Sequence, residues 1–290
     1  MPVTSPVCVT VDVEDWIQST LDFDAAITDR CRTNTARMLD LLERLGIRAT
    51  CFVQGLVAKH DPRMVADITR RGHEVACHAH THRPLFSMSD SMLRDEIATS
   101  RKLLEDATGQ PVLGFRAPDF SLGEPCETLD QVNRQIFVEL ASQGFRYDSS
   151  VVPARMRRYG VATAPRGPFW LKEGLLEIPL ATVWLGRRWP ALGGGYLRML
   201  PFSLHRVALW EAERAQRPAV VYLHPYELDT GEVGAIARSQ HVPWKLRLSQ
   251  SLGRGRRLER RIDRLHHGRT FSTMGESCRA FEGRRDLPTA

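Results

Sequence analysis

The sequence predicts an α/β fold built on parallel strands, and three observations carry that prediction. Runs of β-branched and apolar residues alternate with helix-period segments as far as residue 224. Several of those helix-period segments end on a glycine, the residue that accepts a left-handed cap. A length of 290 residues with 42% apolar content suits one α/β barrel with a large core. In chain order, VCVTVDV (7–13) reads as a strand, Thr33 to Leu45 as a helix closed by Gly46, and RATCFVQG (48–55) as a second strand. Asp61 to Arg71 reads as a helix stopped by Gly72, and HEVACH (73–78) as a third strand. Ser89 caps a long helix to Ala107, with Met92, Leu93, Ile97, Leu103 and Leu104 as its apolar positions and Gly109 as its end. PVLGFRAP is the next strand and Val132 to Gln143 the next helix. Residues 151–200 break the rhythm with many Pro and Gly, including Gly193-Gly194-Gly195, and read as loop-rich. Pro201 to Gln216 is a last helix before the strand AVVYLH (219–224). Strand, helix, strand in repetition implies parallel strands joined by crossovers, with chemistry at their carboxyl ends.

Composition narrows the function. The net charge of +6 is local: residues 238–269 hold nine Arg and one Lys against Glu259 and Asp263, so the rest of the chain is slightly acidic. No aromatic stacking run or nucleic-acid motif accompanies that block, which argues against nucleic acid as a partner. Arg256 to His267 places Leu258, Ile262 and Leu265 at i, i+4 and i+7, an apolar stripe on an Arg-covered helix. Such a helix packs on the barrel, or meets an anionic membrane surface or an anionic glycan. No run of 18 apolar residues occurs, and MPVTSPVCVTVDVEDW lacks a basic region followed by a sustained apolar one. Six scattered cysteines without a C-x-x-C pair fit free thiols, and the expected compartment is the cytoplasm, with attachment to the inner membrane face allowed by the basic block. The expected organisation is a barrel over 1–235, including 151–200, followed by a basic extension over 236–290.

Polar residues gather where the predicted strands end. Asp12, Glu14 and Asp15 close the first strand, His78 and His82 follow the third, Arg116 closes the fourth, Asp148 follows GFRY, and His224 closes the last. A carboxylate ending an apolar strand must be paired or coordinated, and alternation puts Asp12 and Glu14 on one side with Asp15 facing away unless the chain turns. His78-x-x-x-His82 suits a divalent metal with a carboxylate as third ligand, Glu14 or Asp15, and His80 stays a rim residue. Taken singly, each motif is more commonly a solvated turn or a satisfied core group.

Taken in order, the segments TVDVEDW, HAHTH, FRAPDFS, YDSS and YLH resemble the motifs of the NodB-homology polysaccharide deacetylases, carbohydrate esterase family four. DVEDW, ATCFVQG, RGHEVACH, GGGYLRMLP and VVYLHPYELD are similar to the exosortase-associated exopolysaccharide deacetylase subgroup, while residues after Glu276 match nothing in it. The resemblance implies a distorted (β/α) barrel of seven to eight strands and metal-dependent hydrolysis, most simply with zinc, of an N-acetyl group on an N-acetylhexosamine-containing glycan, free or lipid-linked. It implies Asp12 as general base, Arg116 as its orienting partner, His78 and His82 as metal ligands with Glu14 (or Asp15), and His224 as general acid paired with Asp148. The first motif departs from the family's usual two adjacent aspartates, which leaves the third ligand open. Asp119 and Phe120 would offer a main-chain N–H to an oxyanion, and Trp16, Phe120, Trp184 and Tyr196 would wall a sugar. Related barrels cut small amides and ureides, and a non-catalytic glycan-binding module is a further rival.

Overall fold

In the computed structural model, which describes residues 6–284 and 286–290, all seven residues of β1 (Val7–Val13) are buried. A strand covered on both faces reads as a continuous apolar run, which is what VCVTVDV is until Asp12. Parallel neighbours are β2 (Thr50–Val53), β3 (Glu74–Cys77), β4 (Gly114–Phe115) and β5 (Tyr147–Asp148). The antiparallel pair β6 (Phe169–Trp170) and β7 (Leu176–Glu177) follows, with β7 parallel to β5. A separate hairpin joins β8 (Thr182–Trp184) to β9 (Arg188–Pro190). β10 (Ala219–Leu223) pairs with β1 on its other side, and β11 (Phe271–Ser272) adds to the start of β1. The path β10-β1-β2-β3-β4-β5-β7-β6 is a curled parallel half-barrel that stays open between β10 and β6 among the described residues. The expected α/β fold is therefore observed, with its strands shorter than the sequence suggested after β3.

Twelve α-helices, besides four short 3-10 turns, lie among the described residues. They are α1 (Trp16–Thr20), α2 (Asp29–Arg44), α3 (Gly55–His60), α4 (Pro62–Arg70), α5 (Asp90–Thr108), α6 (Gln135–Ser142), α7 (Gly194–Met199), α8 (Phe202–Arg214), α9 (Glu232–Ser239), α10 (Trp244–Ser251), α11 (Arg256–His266) and α12 (Met274–Glu282). Ser89 caps α5 through the Met92 N–H, and Gly109 ends it in the left-handed region at φ 66°. α2 starts four residues earlier than expected, at Asp29. The glycine run is no loop: Gly193 precedes α7, and its backbone lies so close to the Tyr222 ring that a side chain there would overlap it. None of these helices is long and apolar enough to cross a membrane.

Strand alternation sorts the core into two layers. Val7, Val9, Val11 and Val13 join the cluster that includes Met38 and Leu42 of α2. Cys8 turns the other way, into a second cluster with Phe52, Ala76, Tyr147, Leu176, Val220 and Tyr222, which fills the concave side of the sheet. Met274, Cys278 and Phe281 of α12 belong to that inner cluster and plug its lower end. Glu74 fixes the plug by accepting from Thr50 Oγ1 at 2.6 Å, Tyr147 Oη at 2.9 Å and the Gly275 N–H at 2.8 Å. Thr10 and Asp12 share the parity of Cys8, so they point into the concave interior at its upper, carboxyl end.

Candidate metal and hydrolytic site

Glu14 continues the inward parity of Asp12, and it meets the histidines there. Its Oε2 lies 2.6 Å from His82 Nε2 and 3.4 Å from His78 Nε2. All three side chains are buried, and their ligand atoms lie within 4.8 Å of one another. His78 Nδ1 is 2.8 Å from the Arg116 carbonyl oxygen, which fixes the proton on Nδ1 and leaves the Nε2 lone pair for the shared centre. Asp15 is engaged elsewhere: it caps α1 through Ile17 N–H at 2.9 Å and accepts from Thr28 N–H at 2.9 Å.

The His78–His82 segment is not a helical turn. Ala79 and His82 sit at φ 56° and 63°, in the left-handed region that β-carbons disfavour. This backbone reverses the chain so that both imidazoles converge, edge to face at 5.3 Å. Glu96 of α5 holds the strained loop by accepting from the His80 N–H at 2.9 Å, the Thr81 N–H at 2.5 Å and Thr81 Oγ1 at 2.9 Å. The His80 ring faces Gly55 and Ser100, away from the centre.

Beside the carboxylate and imidazoles, Arg116 is fully buried and every arm of its guanidinium is held. Nη1 donates to Asp12 Oδ1 and Thr10 Oγ1, both at 2.7 Å, Nε to the Ser149 carbonyl at 3.1 Å, and Nη2 to Ser149 Oγ at 3.0 Å. The Phe52 ring lies 4.1 Å beneath it. Asp12 therefore keeps one carboxylate oxygen free of Arg116 and a fixed direction.

His224 follows β10 with its Nε2 4.0 Å from Glu14 Oε1. Tyr226 stacks on it at 4.9 Å and donates its hydroxyl to Glu14 at 3.2 Å. Asp148, expected as its partner, is not there: it accepts from Ser150 Oγ at 2.6 Å and shares a buried contact with Glu177. Burial raises Asp148, and burial together with Asp148 raises Glu177 well above the usual carboxylate range. The carboxylate that faces His224 is Glu227, 3.7 Å from Nδ1 and accepting the His224 N–H at 3.0 Å. Burial works against a charged His224, but Glu227 outweighs it and the imidazole is pushed up to about 9. Burial would raise Glu227, yet His224 and Arg198 bring it down to about 2. Burial would likewise raise Glu14, and the facing His82 and His78 hold it well below its ordinary value. His82 is raised in turn, the Glu14 charge overcoming its desolvation.

These groups open into a cavity of about 260 Å³. Asp119, Phe120 and Tyr196 line it as expected, joined by Tyr159 and Tyr222, which the sequence did not single out. Asp119 and Phe120 both have positive φ, 51° and 55°, and the Phe120 N–H is committed to the Ala117 carbonyl at 3.0 Å, so Phe120 offers a ring rather than a donor. Trp184 departs from expectation: it is 61% exposed on the β8–β9 hairpin, outside the cavity lining, because the hairpin leaves the sheet. Trp16 is wholly buried against Tyr226, Val233 and Ile236. A hollow of about 360 Å³ lies at the other end of the strands, around His73 and Glu74, without converging ligand atoms among the described residues.

Residues 17–135 match the family model described as polysaccharide deacetylase, and residues 149–279 match a domain of unknown function, DUF3473. A peptidoglycan-N-acetylglucosamine deacetylase of Bacillus cereus is 33% identical over 86 residues, 30% of this chain and 40% of that protein. The chain spans less than half the length of the curated relatives it matches. A Mycobacterium smegmatis protein assigned to the polysaccharide deacetylases has the same fold at TM-score 0.68 and 20% identity, covering 100% of this chain and 95% of that one. PuuE allantoinase also shares the fold, at TM-score 0.62 and 14% identity, covering 98% and 93%. The N-terminal part of the chain, residues 17–135, is thus similar to the polysaccharide deacetylases, and the whole chain shares the fold of the Mycobacterium smegmatis protein.

Proposed function

We propose that the chain is a divalent-metal-dependent glycan N-deacetylase. The observation that carries this reading is the convergence of Glu14, His78 and His82 beside an Arg116-held Asp12 and a Glu227-backed His224, at the mouth of one cavity. Two imidazole nitrogens and a carboxylate oxygen, buried together with no Lys or Arg among them, are a donor set for a borderline metal such as zinc. When bound, the ion would supply Lewis acidity toward the amide carbonyl oxygen and the attacking water.

The chain's own groups then divide the proton transfers. Asp12 takes a proton from the water as the water oxygen bonds to the carbonyl carbon, and Arg116 keeps that carboxylate aimed. His224 gives its proton to the amide nitrogen as the C–N bond breaks, because an amine anion is not a workable leaving group. Acetate and a free amine result. Glu227 faces the Nδ1 side of the imidazole at 3.7 Å and supplies its counter-charge, the role the family resemblance gave to Asp148. Phe120, Tyr159 and Tyr222, with ring centroids 5.3 Å apart in each contact with Phe120, form a wall suited to a sugar face. The Asp119 main-chain N–H is the donor available to the oxyanion.

An N-acetylhexosamine-containing glycan, free or lipid-linked, is the substrate class, in line with the name of the Bacillus relative. The barrel segment ending near 235 carries the catalytic groups, and 236–290 completes it, with β11 joining β1 and Leu246 and Gln250 lining the cavity. All six cysteines are free, which fits the cytoplasm. The test is acetate release from N-acetylhexosamine oligomers by chelator-treated and metal-reloaded protein, with Asp12→Asn as the blank. Metal-restored release is expected. Hydrolysis of allantoin or a formamide without acetate release would place the chain with the small-amide enzymes of this fold, and glycan binding without turnover would make it a binding module.

A further inference from the structure

α10 differs from the other described helices in having no buried residue. Trp244 is 69% exposed, Leu248 54%, and Leu252, just past its end, 43%. A spacing of four puts these three on one outward face. Leu246 and Gln250, also four apart, line the cavity. The helix is thus an edge of the active cleft whose other side shows a Trp and two Leu to solvent.

Charge says what that face meets. From residue 233 to 258 no Asp or Glu occurs. Arg238, Lys245, Arg247, Arg256, Arg257 and Arg260 make no ion pair among the described residues. The sequence had offered the stripe on α11 for a membrane, but Leu258, Ile262 and Leu265 are buried, so that stripe is spent on packing. A second copy of the chain is a poor occupant, since a symmetric contact would set one basic segment against another.

We propose that α10 docks the protein on an anionic bilayer. Trp244, Leu248 and Leu252 enter the interfacial layer, and Lys245, Arg247 and the flanking arginines meet lipid phosphates. The cleft mouth then lies at the lipid surface. If the deacetylase reading holds, that placement favours a lipid-linked glycan, but the docking itself is read without substrate.

The experiment is co-sedimentation of the full chain with vesicles of phosphatidylcholine plus phosphatidylglycerol, against pure phosphatidylcholine. Binding is expected on the anionic vesicles only, weakening as salt is raised. Trp244→Glu with Leu248→Glu should weaken it at least about tenfold, and Lys245→Ala or Arg247→Ala about fivefold each. Trp210→Glu, at the 55% exposed Trp of α8, should leave it unchanged. Equal binding to both vesicles, loss with Trp210→Glu, no loss with the α10 variants, or self-association that depends on Trp244 would each overturn the proposal. Circular dichroism checks the fold, and the alanine variants carry the test if the glutamates do not fold. Acetate release from a soluble oligomer by the same variants separates failure of docking from failure of the deacetylase reading.

Discussion

At the scale of single residues, Asp12 and Glu14 are two places apart and do different work. Asp12 is tied to Arg116, and Glu14 to two imidazoles. Asp12→Asn keeps an oxygen for Arg116 but not a base, so kcat should fall about 10²- to 10⁴-fold while bound metal per chain stays unchanged. His78→Ala and His82→Ala should each lose the metal, read by elemental analysis after dialysis, and His80→Ala should keep it. Metal loss from His80→Ala would show that the loop, not the two facing rings, defines the site. Glu227→Gln tests the partner of His224. It leaves Arg198 Nε, now 2.7 Å from the carboxylate, buried without its counter-charge, a loss of about 3–5 kcal/mol on denaturation. If the acid role is right, kcat falls as well, with KM little changed.

At the scale of elements, what was legible followed from local rules. β1 ends where the apolar run ends, Ser89 and Gly109 bound α5, and alternation put Asp12 and Glu14 on one side. The stripe Leu258, Ile262, Leu265 was legible as a helix face, though not which surface it covers. Leu258→Ala should cost about 2–4 kcal/mol in denaturant unfolding if the extension packs as one unit with the barrel, and nearly nothing if α11 melts separately. Long-range choices were not legible. Asp148 and Glu227 are both carboxylates near a strand end, and only the register of β5 against β7 turns Asp148 toward Glu177. Glu227 had a local sign, three residues after His224 in HPYE, the spacing of a capping box. Trp184 looked like a sugar platform because sequence does not show that β8 and β9 leave the main sheet. Gly193 was read only as part of a loop and of the GGGYLRMLP resemblance, yet it admits the Tyr222 ring to the cavity wall.

At the scale of the whole molecule, buried ionisable groups give the fold a pH response apart from the candidate metal site. His205 of α8 is fully buried, its Nε2 3.4 Å from the Tyr196 carbonyl oxygen, its Nδ1 without a partner and its ring against Phe202. Burial, reinforced by the Arg261 charge, brings it down to about 4. In the unfolded chain it titrates near 6.5 and binds a proton the native state refuses. Stability from this group is therefore complete above 6.5 and lost as pH falls toward 4, on the order of 1–2 kcal/mol once solvent screening is allowed for. Glu232 acts oppositely in nearly the same window. Burial pushes it up to about 7 despite Arg254 at 3.8 Å, so the native state keeps a proton that the unfolded chain has released above about 4.5, and stability falls as pH rises from there to 7. The two slopes oppose each other and partly cancel between 5 and 7, within a wild-type curve that the raised Glu177 and His224 tilt toward lower stability as pH rises. Each slope appears when the other group is removed. Relative to wild type, His205→Leu should lose more stability as pH rises across that interval, whereas Glu232→Gln should lose less. Parallel curves for the two variants would mean that neither residue is as deeply buried in solution as the packing of α8 and α9 requires.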